Sequence, residues 1–105
     1  MTSYYDIEST LEELLSDVSE KKEEAAEAWR EADDAFEKAD DLACTLYGMI
    51  EKADEVGIPI EPAHDLIVQY RDYLEGARDE AADAEENWYA VQQRIEEALD
   101  RMGWM

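Results

Sequence analysis

Basic residues are scarce in this sequence. Nine lysines and arginines stand against 30 aspartates and glutamates in 105 residues, which gives a formal net charge of -21. Nucleic acids and anionic membrane surfaces attract proteins through Lys and Arg, so the balance argues against direct binding to either. It favours a partner with a basic surface, and nucleic-acid-binding proteins carry the largest of these.

Cysteine and long apolar runs are also nearly absent. Cys44 is alone, so no disulfide can form within the chain, and a reducing environment is the default expectation. No apolar run approaches the ~20 residues of a membrane-spanning helix. The N-terminal stretch MTSYYDIEST lacks the basic and apolar segments of a signal peptide. We therefore expect a cytoplasmic protein that does not enter a membrane.

Apolar residues, by contrast, are plentiful at 46%, and they follow a heptad pattern, which argues against disorder. Two such series occur. In the first, successive members are alternately four and three residues apart, and Lys21 is the only polar member. Leu15, Trp29, Phe36 and Ile50 widen it to the face of a bundle helix. The two series are Ile7, Leu11, Leu14, Val18, Lys21, Ala25, Ala28, Ala32, Ala35, Ala39, Leu42, Leu46, Met49, Ala53 and Val56, then Ala63, Ile67, Tyr70, Leu74, Ala77, Ala81, Ala84, Trp88, Val91, Ile95, Ala98 and Met102.

The two series predict an all-α protein, an antiparallel helical hairpin or coiled coil that forms one domain over residues 1–105. We expect one helix over about residues 4–56, a turn at 57–61 and a second helix over about 62–102. Gly57 suits the left-handed position after a helix, and Pro62 suits a first helical turn. A connection this short forces the helices to lie antiparallel.

The N-terminal segment leaves two possibilities open. If the chain folds back about Pro59, roughly the first fifteen residues lack a partner from the second helix. Either this overhang pairs with another copy in a homodimer, or the helix breaks near residues 16–20 and folds back in a monomeric three-helix bundle. Ser16, Asp17 and Ser19 are suitable N-caps, whereas the unbroken heptad phase favours a straight helix. We favour the break.

The outer faces of the predicted helices are almost purely acidic, and Arg30 is the only base there. Acidic pairs four residues apart oppose helix formation by ~0.2–0.5 kcal/mol each, so stability alone does not explain this surface. The most contiguous acids are the best candidates for contacts with a partner, and exposed Tyr47 and Tyr89 are candidate anchors. The acidic set is Glu13, Glu20, Glu27, Asp33, Asp34, Glu37, Asp40 and Asp41.

Carboxylates three or four residues apart on a helix lie roughly 5–6 Å from each other, close to the spacing of successive phosphates. In charge, size and helical character the chain is similar to phage-encoded DNA mimics that block restriction or CRISPR enzymes. The resemblance implies a non-enzymatic inhibitor that binds a basic nucleic-acid-binding protein or complex. Adaptation to a salt-rich cytoplasm is the other explanation of the acidity.

Self-association is the alternative function. An apolar N-terminal segment without an intramolecular partner predicts a coiled-coil adaptor or structural protein with a salt-adapted acidic surface. Its self-association residues would be Ile7, Leu11, Leu14, Leu15 and Val18.

Two patterns of metal-binding enzymes occur, but neither survives a geometric test. Glu23, Glu24 and Glu27 with Glu51 and Asp54 resemble the EExxE…ExxD carboxylates of MazG-type nucleotide pyrophosphatases. On one straight helix the two motifs stand roughly 40 Å apart, far beyond the reach of one Mg²⁺. Glu61-Pro62-Ala63-His64 has the Glu-x-x-His spacing of di-iron bundles but falls at the turn. We expect no catalytic residue, no metal and no cofactor.

Overall fold

The computed structural model describes residues 4–103 and is an all-α helical hairpin, which confirms the predicted fold class. Helix α1 spans Tyr4–Glu55 and helix α2 spans Glu61–Gly103. Contacts within the chain define two compact units, which we describe separately. The turn unit is Ala28–Glu80, and the terminal unit combines residues 4–27 with residues 81–103.

Gly57 ends α1 in the way its sequence position predicts. It has a φ of +77°, a left-handed conformation that glycine adopts without the steric cost of a Cβ. Its N–H donates to the carbonyl of Asp54 at 3.1 Å, and the N–H of Ile58 donates to the carbonyl of Ala53 at 2.8 Å. These two bonds form a Schellman motif, which satisfies the last carbonyls of the helix.

The first hydrogen bond of α2 runs from the N–H of His64 to the carbonyl of Ile60 at 3.0 Å. Pro62 occupies the first turn, where a missing N–H leaves no hydrogen bond unmade. The chain between the helices is therefore only five residues long, which brings the two helices of the turn unit side by side.

The turn unit has a narrow core of small residues. Ala39, Ala43 and Ala53 of α1 are buried together with Leu74 of α2. Ala43 is the most enclosed of these, with 2% of its surface exposed. Alanines at these positions allow the two backbones to approach closely.

In the turn unit, α1 is rotated about its axis relative to the predicted heptad seam, so one predicted column is exposed. The covered positions of α1 run Ala39, Ala43, Leu46, Ile50 and Ala53, whereas the predicted seam residues Leu42, Met49 and Val56 are exposed. Both candidate columns are apolar, so hydrophobicity alone does not choose between them. The observed rotation lets two arginines of α2 reach carboxylates of α1, as described below.

In the terminal unit, the expectation of a break near residues 16–20 is wrong. Helix α1 continues through Ser16, Asp17 and Ser19 without interruption, so the described residues form no third helix. Val18, in the middle of this segment, has only 6% of its surface exposed. A break would remove this side chain from the hydrophobic contact that the heptad phase maintains.

The predicted overhang of roughly fifteen residues is also too long. Lys22 Nζ lies 5.4 Å from the centroid of the Tyr89 ring. Counted in antiparallel register from that pair, Met102 comes level with about residue 9. Leu11 and Leu15 are accordingly half-buried within the terminal unit, whereas Ile7 and Leu14 are exposed. The self-association prediction therefore retains only these last two residues as accessible apolar side chains.

Candidate protein-binding surfaces

The acidic face of the turn unit is built by Asp34, Glu37 and Asp41 of α1. All three side chains are exposed, and none forms an ion pair or hydrogen bond within residues 4–103. Asp34 follows the covered residue Ala32 by two positions. Glu37 precedes the covered residue Ala39 by two positions, and Asp41 follows it by two. All three acids therefore point away from α2. Their separations of three and four residues place neighbouring Cβ atoms roughly 5–6 Å apart.

The terminal unit has a comparable set in Glu13, Glu20 and Glu27. These three residues are also exposed on α1, and within the described part of the chain they too have no ion-pair partner. Their spacing of seven residues, or two helical turns, places successive carboxylates on the same side of the helix at roughly 10 Å intervals.

Asp33 and Asp40, which the sequence places among the candidate contacts, have partners inside the hairpin. Arg78 Nη1 donates to Asp33 Oδ1 at 3.0 Å, and Arg71 Nη1 donates to Asp40 Oδ1 at 2.9 Å. Both aspartates are half-buried. Their charges are therefore largely compensated within the turn unit, and they add less to the outward negative potential than Asp34 does.

Arg78 also packs its guanidinium over Phe36, with Cζ 4.7 Å from the ring centroid. Planar guanidinium groups favour this arrangement because it combines cation–π attraction with the shielding of apolar surface. The heptad pattern keeps Arg71 and Arg78 off the predicted outer faces. It did not identify their partners, because the rotation of each helix about its axis was unknown.

Tyr47 and Tyr89, the two candidate anchors, are exposed in their respective units. The Tyr47 ring lies 5.8 Å from the imidazole of His64, and the Tyr89 hydroxyl accepts a hydrogen bond from Gln93 Nε2 at 3.0 Å. Both side chains contact a neighbour and still expose 71% and 49% of their surface, respectively. They meet the steric requirement for an interface anchor, although neither lies in a deep pocket.

A groove in the turn unit lies beside Tyr47. It is an open depression of about 330 Å³ lined by Ala43, Cys44, Tyr47, His64, Val68 and Arg71. His64 Nδ1 lies 3.4 Å from Asp65 Oδ1, but no hydrogen bond joins Cys44 to His64. Among residues 4–103, no group of three or more His, Cys, Asp or Glu residues could hold a metal ion.

An exposed apolar surface of the turn unit was not predicted from the sequence. We call it the apolar flank. It carries residues from both helices, and 55% of Leu42 and 69% of Tyr73 are exposed. The rings of Tyr70 and Tyr73 stack with centroids 6.1 Å apart. Its large side chains are Leu42, Met49, Val56, Leu66, Tyr70 and Tyr73.

The described helices include none that is both long enough and apolar enough to cross a membrane. Comparison with known proteins adds no assignment: no family model, curated protein or solved structure matches this chain.

Proposed function

We propose that this chain is a non-enzymatic inhibitor whose acidic α1 face binds a basic, nucleic-acid-handling protein in place of DNA or RNA. The observation that carries the proposal is the exposure of Asp34, Glu37 and Asp41, whose side chains form no ion pair within residues 4–103. A groove lined with Lys and Arg to hold a phosphate backbone would attract such a row of carboxylates.

The internal pairing of Asp33 and Asp40 strengthens this argument. Arg71 and Arg78 are committed to the contact between the helices, so these bases do not neutralise the outward carboxylates. Two of the nine bases thus hold the helices of the turn unit together, and the outer α1 acids stay available to a partner.

The rigidity of the scaffold also supports the proposal. Asp34, Glu37 and Asp41 lie on an α-helix whose opposite face is fixed by buried Ala39 and Ala43. Carboxylates on such a support are preorganised, so binding orders little backbone and loses less conformational entropy than binding by a flexible acidic tail. Restriction enzymes and CRISPR complexes of the phage-defence type are the class of target that this chemistry fits.

The proposal is tested by capture from a nuclease-treated cell extract, with the immobilised chain and two charge-reversed variants. Asp34→Lys/Glu37→Lys/Asp41→Lys reverses the proposed contact face. Glu75→Lys/Asp79→Lys/Asp83→Lys changes the net charge equally, but on exposed acids of α2. We expect the α1 variant to lose at least ~100-fold in affinity for the captured protein and the α2 variant to lose much less.

An equal loss in both variants would contradict the proposal, because it would show that total charge matters and the α1 face does not. The same conclusion would follow if both variants bound like the original chain. A surface adapted only to salt predicts one of these two outcomes. Circular dichroism provides the control that all three proteins are equally helical.

A further inference from the structure

We infer that the apolar flank of the turn unit is the interface through which two copies of this chain associate. This inference is independent of the proposed inhibitory function, since it concerns a different surface. It rests on the position of the flank in the helical register, on its area and on its charge.

The register places the flank opposite the paired arginines. A side chain one position after a given residue points about 100° to one side of it. A side chain three positions after it points about 60° to the other side. Asp40 follows buried Ala39 by one position and contacts Arg71. Leu42 follows Ala39 by three positions and therefore points to the opposite flank, as does Met49 relative to Leu46.

The same geometry holds for α2. Arg71 follows Ile67 by four positions, about 40° towards the arginine side, whereas Tyr70 follows it by three positions, on the other side. Tyr73 precedes the buried residue Leu74 by one position, about 100° towards the side of Tyr70. The stacked tyrosines of α2 therefore share a flank with Leu42 and Met49 of α1.

The area of the flank is sufficient for a specific contact. Its six large side chains are each at least half exposed. Together they expose roughly 600 Å², most of the ~800 Å² that each partner contributes to a standard protein interface. An exposed apolar area of this size is at the upper end of what monomeric proteins carry, and patches of that size often have a function. Burial of such an area in a partner is the usual way to remove it from water.

The charge of the flank favours a second copy as the partner. Between Ala35 and Tyr73, the positions on this flank carry two bases, Lys38 and Lys52, and no acid. Its two acids, Glu31 and Glu80, lie seven residues beyond Lys38 and Tyr73, at the end of the turn unit remote from the turn. In a chain of net charge -21, this surface of the turn unit is one where two copies can meet without opposing rows of carboxylates. A basic partner would instead be drawn to Asp34 and Asp41.

The association has a salt dependence opposite to that of the proposed partner binding. Added salt screens the repulsion between two acidic chains and leaves apolar burial intact, so it strengthens the dimer. It weakens the attraction between the acidic face and a basic protein. The two interactions can therefore be separated by one titration.

The test is sedimentation equilibrium of the full chain and two matched tyrosine variants. We expect the original chain to reach the mass of two 12.1 kDa chains, and to do so at lower protein concentration as salt rises from about 0.1 to 1 M. Tyr70→Ser/Tyr73→Ser removes two rings from the apolar flank. Tyr47→Ser/Tyr89→Ser removes two exposed rings that lie elsewhere.

We expect the first variant to weaken association about 100-fold and the second to change it less than about threefold. Leu42→Glu/Met49→Glu should give a helical monomer, which checks the flank from the α1 side. A single-chain mass for the original protein at every salt concentration would overturn the inference. Equal weakening by the two tyrosine pairs would overturn it too. The Asp34→Lys/Glu37→Lys/Asp41→Lys protein should remain dimeric, so each proposal can fail alone.

Discussion

Arg78 donates from Nη1 to Asp33 Oδ1 at 3.0 Å while its guanidinium lies over the ring of Phe36. This arrangement links α2 to α1 through one half-buried ion pair and one aromatic contact. It also fixes the rotation of the helices in the turn unit, because the pair forms only when Asp33 faces α2.

A double-mutant cycle of Arg78→Ala and Asp33→Ala should therefore give a coupling energy of about 1 kcal/mol. The exposed pair Lys21–Glu24, with 3.3 Å between Nζ and Oε2, is the comparison and should give less than ~0.5 kcal/mol. Urea unfolding measures both cycles. Equal coupling in the two pairs would mean that the half-buried position of the arginine pair adds nothing to its strength.

Glu37 has acidic neighbours both three and four residues away in each direction, namely Asp33, Asp34, Asp40 and Asp41. Glu37→Lys turns these repulsions into attractions, so it should raise the free energy of unfolding by about 1 kcal/mol. Glu37→Gln should give roughly half that gain. Urea unfolding at low salt measures both. A loss of stability in the lysine variant would show that the acids of this face support the fold and do not oppose it.

Gly57 and Gly48 form a matched pair of glycines in the turn unit. Gly57→Ala places a Cβ on a residue with φ of +77° and should cost about 1–2 kcal/mol. Gly48 lies inside α1 with open space where a Cβ would stand, so Gly48→Ala should stabilise the protein by about 0.5–1 kcal/mol. Thermal unfolding compares the two variants. Changes of the same sign would contradict the turn described above.

The continuity of α1 can be tested at Asp17. In an uninterrupted helix Asp17→Pro removes a backbone hydrogen bond and clashes with the preceding turn, at a cost of about 3 kcal/mol. At a break capped by Ser16, the same proline would occupy the first helical position and be tolerated. Asp17→Ala is the control and should change stability by less than about 1 kcal/mol. If the proline is tolerated, α1 is broken near Ser16, and the three-helix arrangement is favoured over the continuous helix.

The sequence predicted much of this fold because its strongest signals are local. Heptad spacing determines that two long helices form, and Gly57 with Pro59 determines where they are joined. The register of the hairpin was not accessible in this way. The pairs Asp40–Arg71 and Asp33–Arg78 are symmetric about the end of α1 and not about Pro59, so α2 reaches further along α1 than the position of the proline suggested.

The candidate site was only partly predictable for a related reason. The exposure of Asp34, Glu37 and Asp41 follows from the helical period alone. The pairing of Asp33 and the exposure of Leu42 both depend on how far α1 rotates towards one of two apolar columns, Leu42 and Met49 or Phe36 and Ile50. Because both columns are hydrophobic, the choice depends on contacts with Arg71 and Arg78, which are distant in sequence.

The central claim is that carboxylates of α1 occupy the place of a nucleic-acid backbone on a basic protein, and competition tests it most directly. Added duplex DNA or RNA should release the captured protein from the immobilised chain, and raised salt without nucleic acid should release it too. The Glu75→Lys/Asp79→Lys/Asp83→Lys chain should behave in the same way. If nucleic acid and the chain bind the captured protein simultaneously, without mutual loss of affinity, the proposed mimicry is wrong.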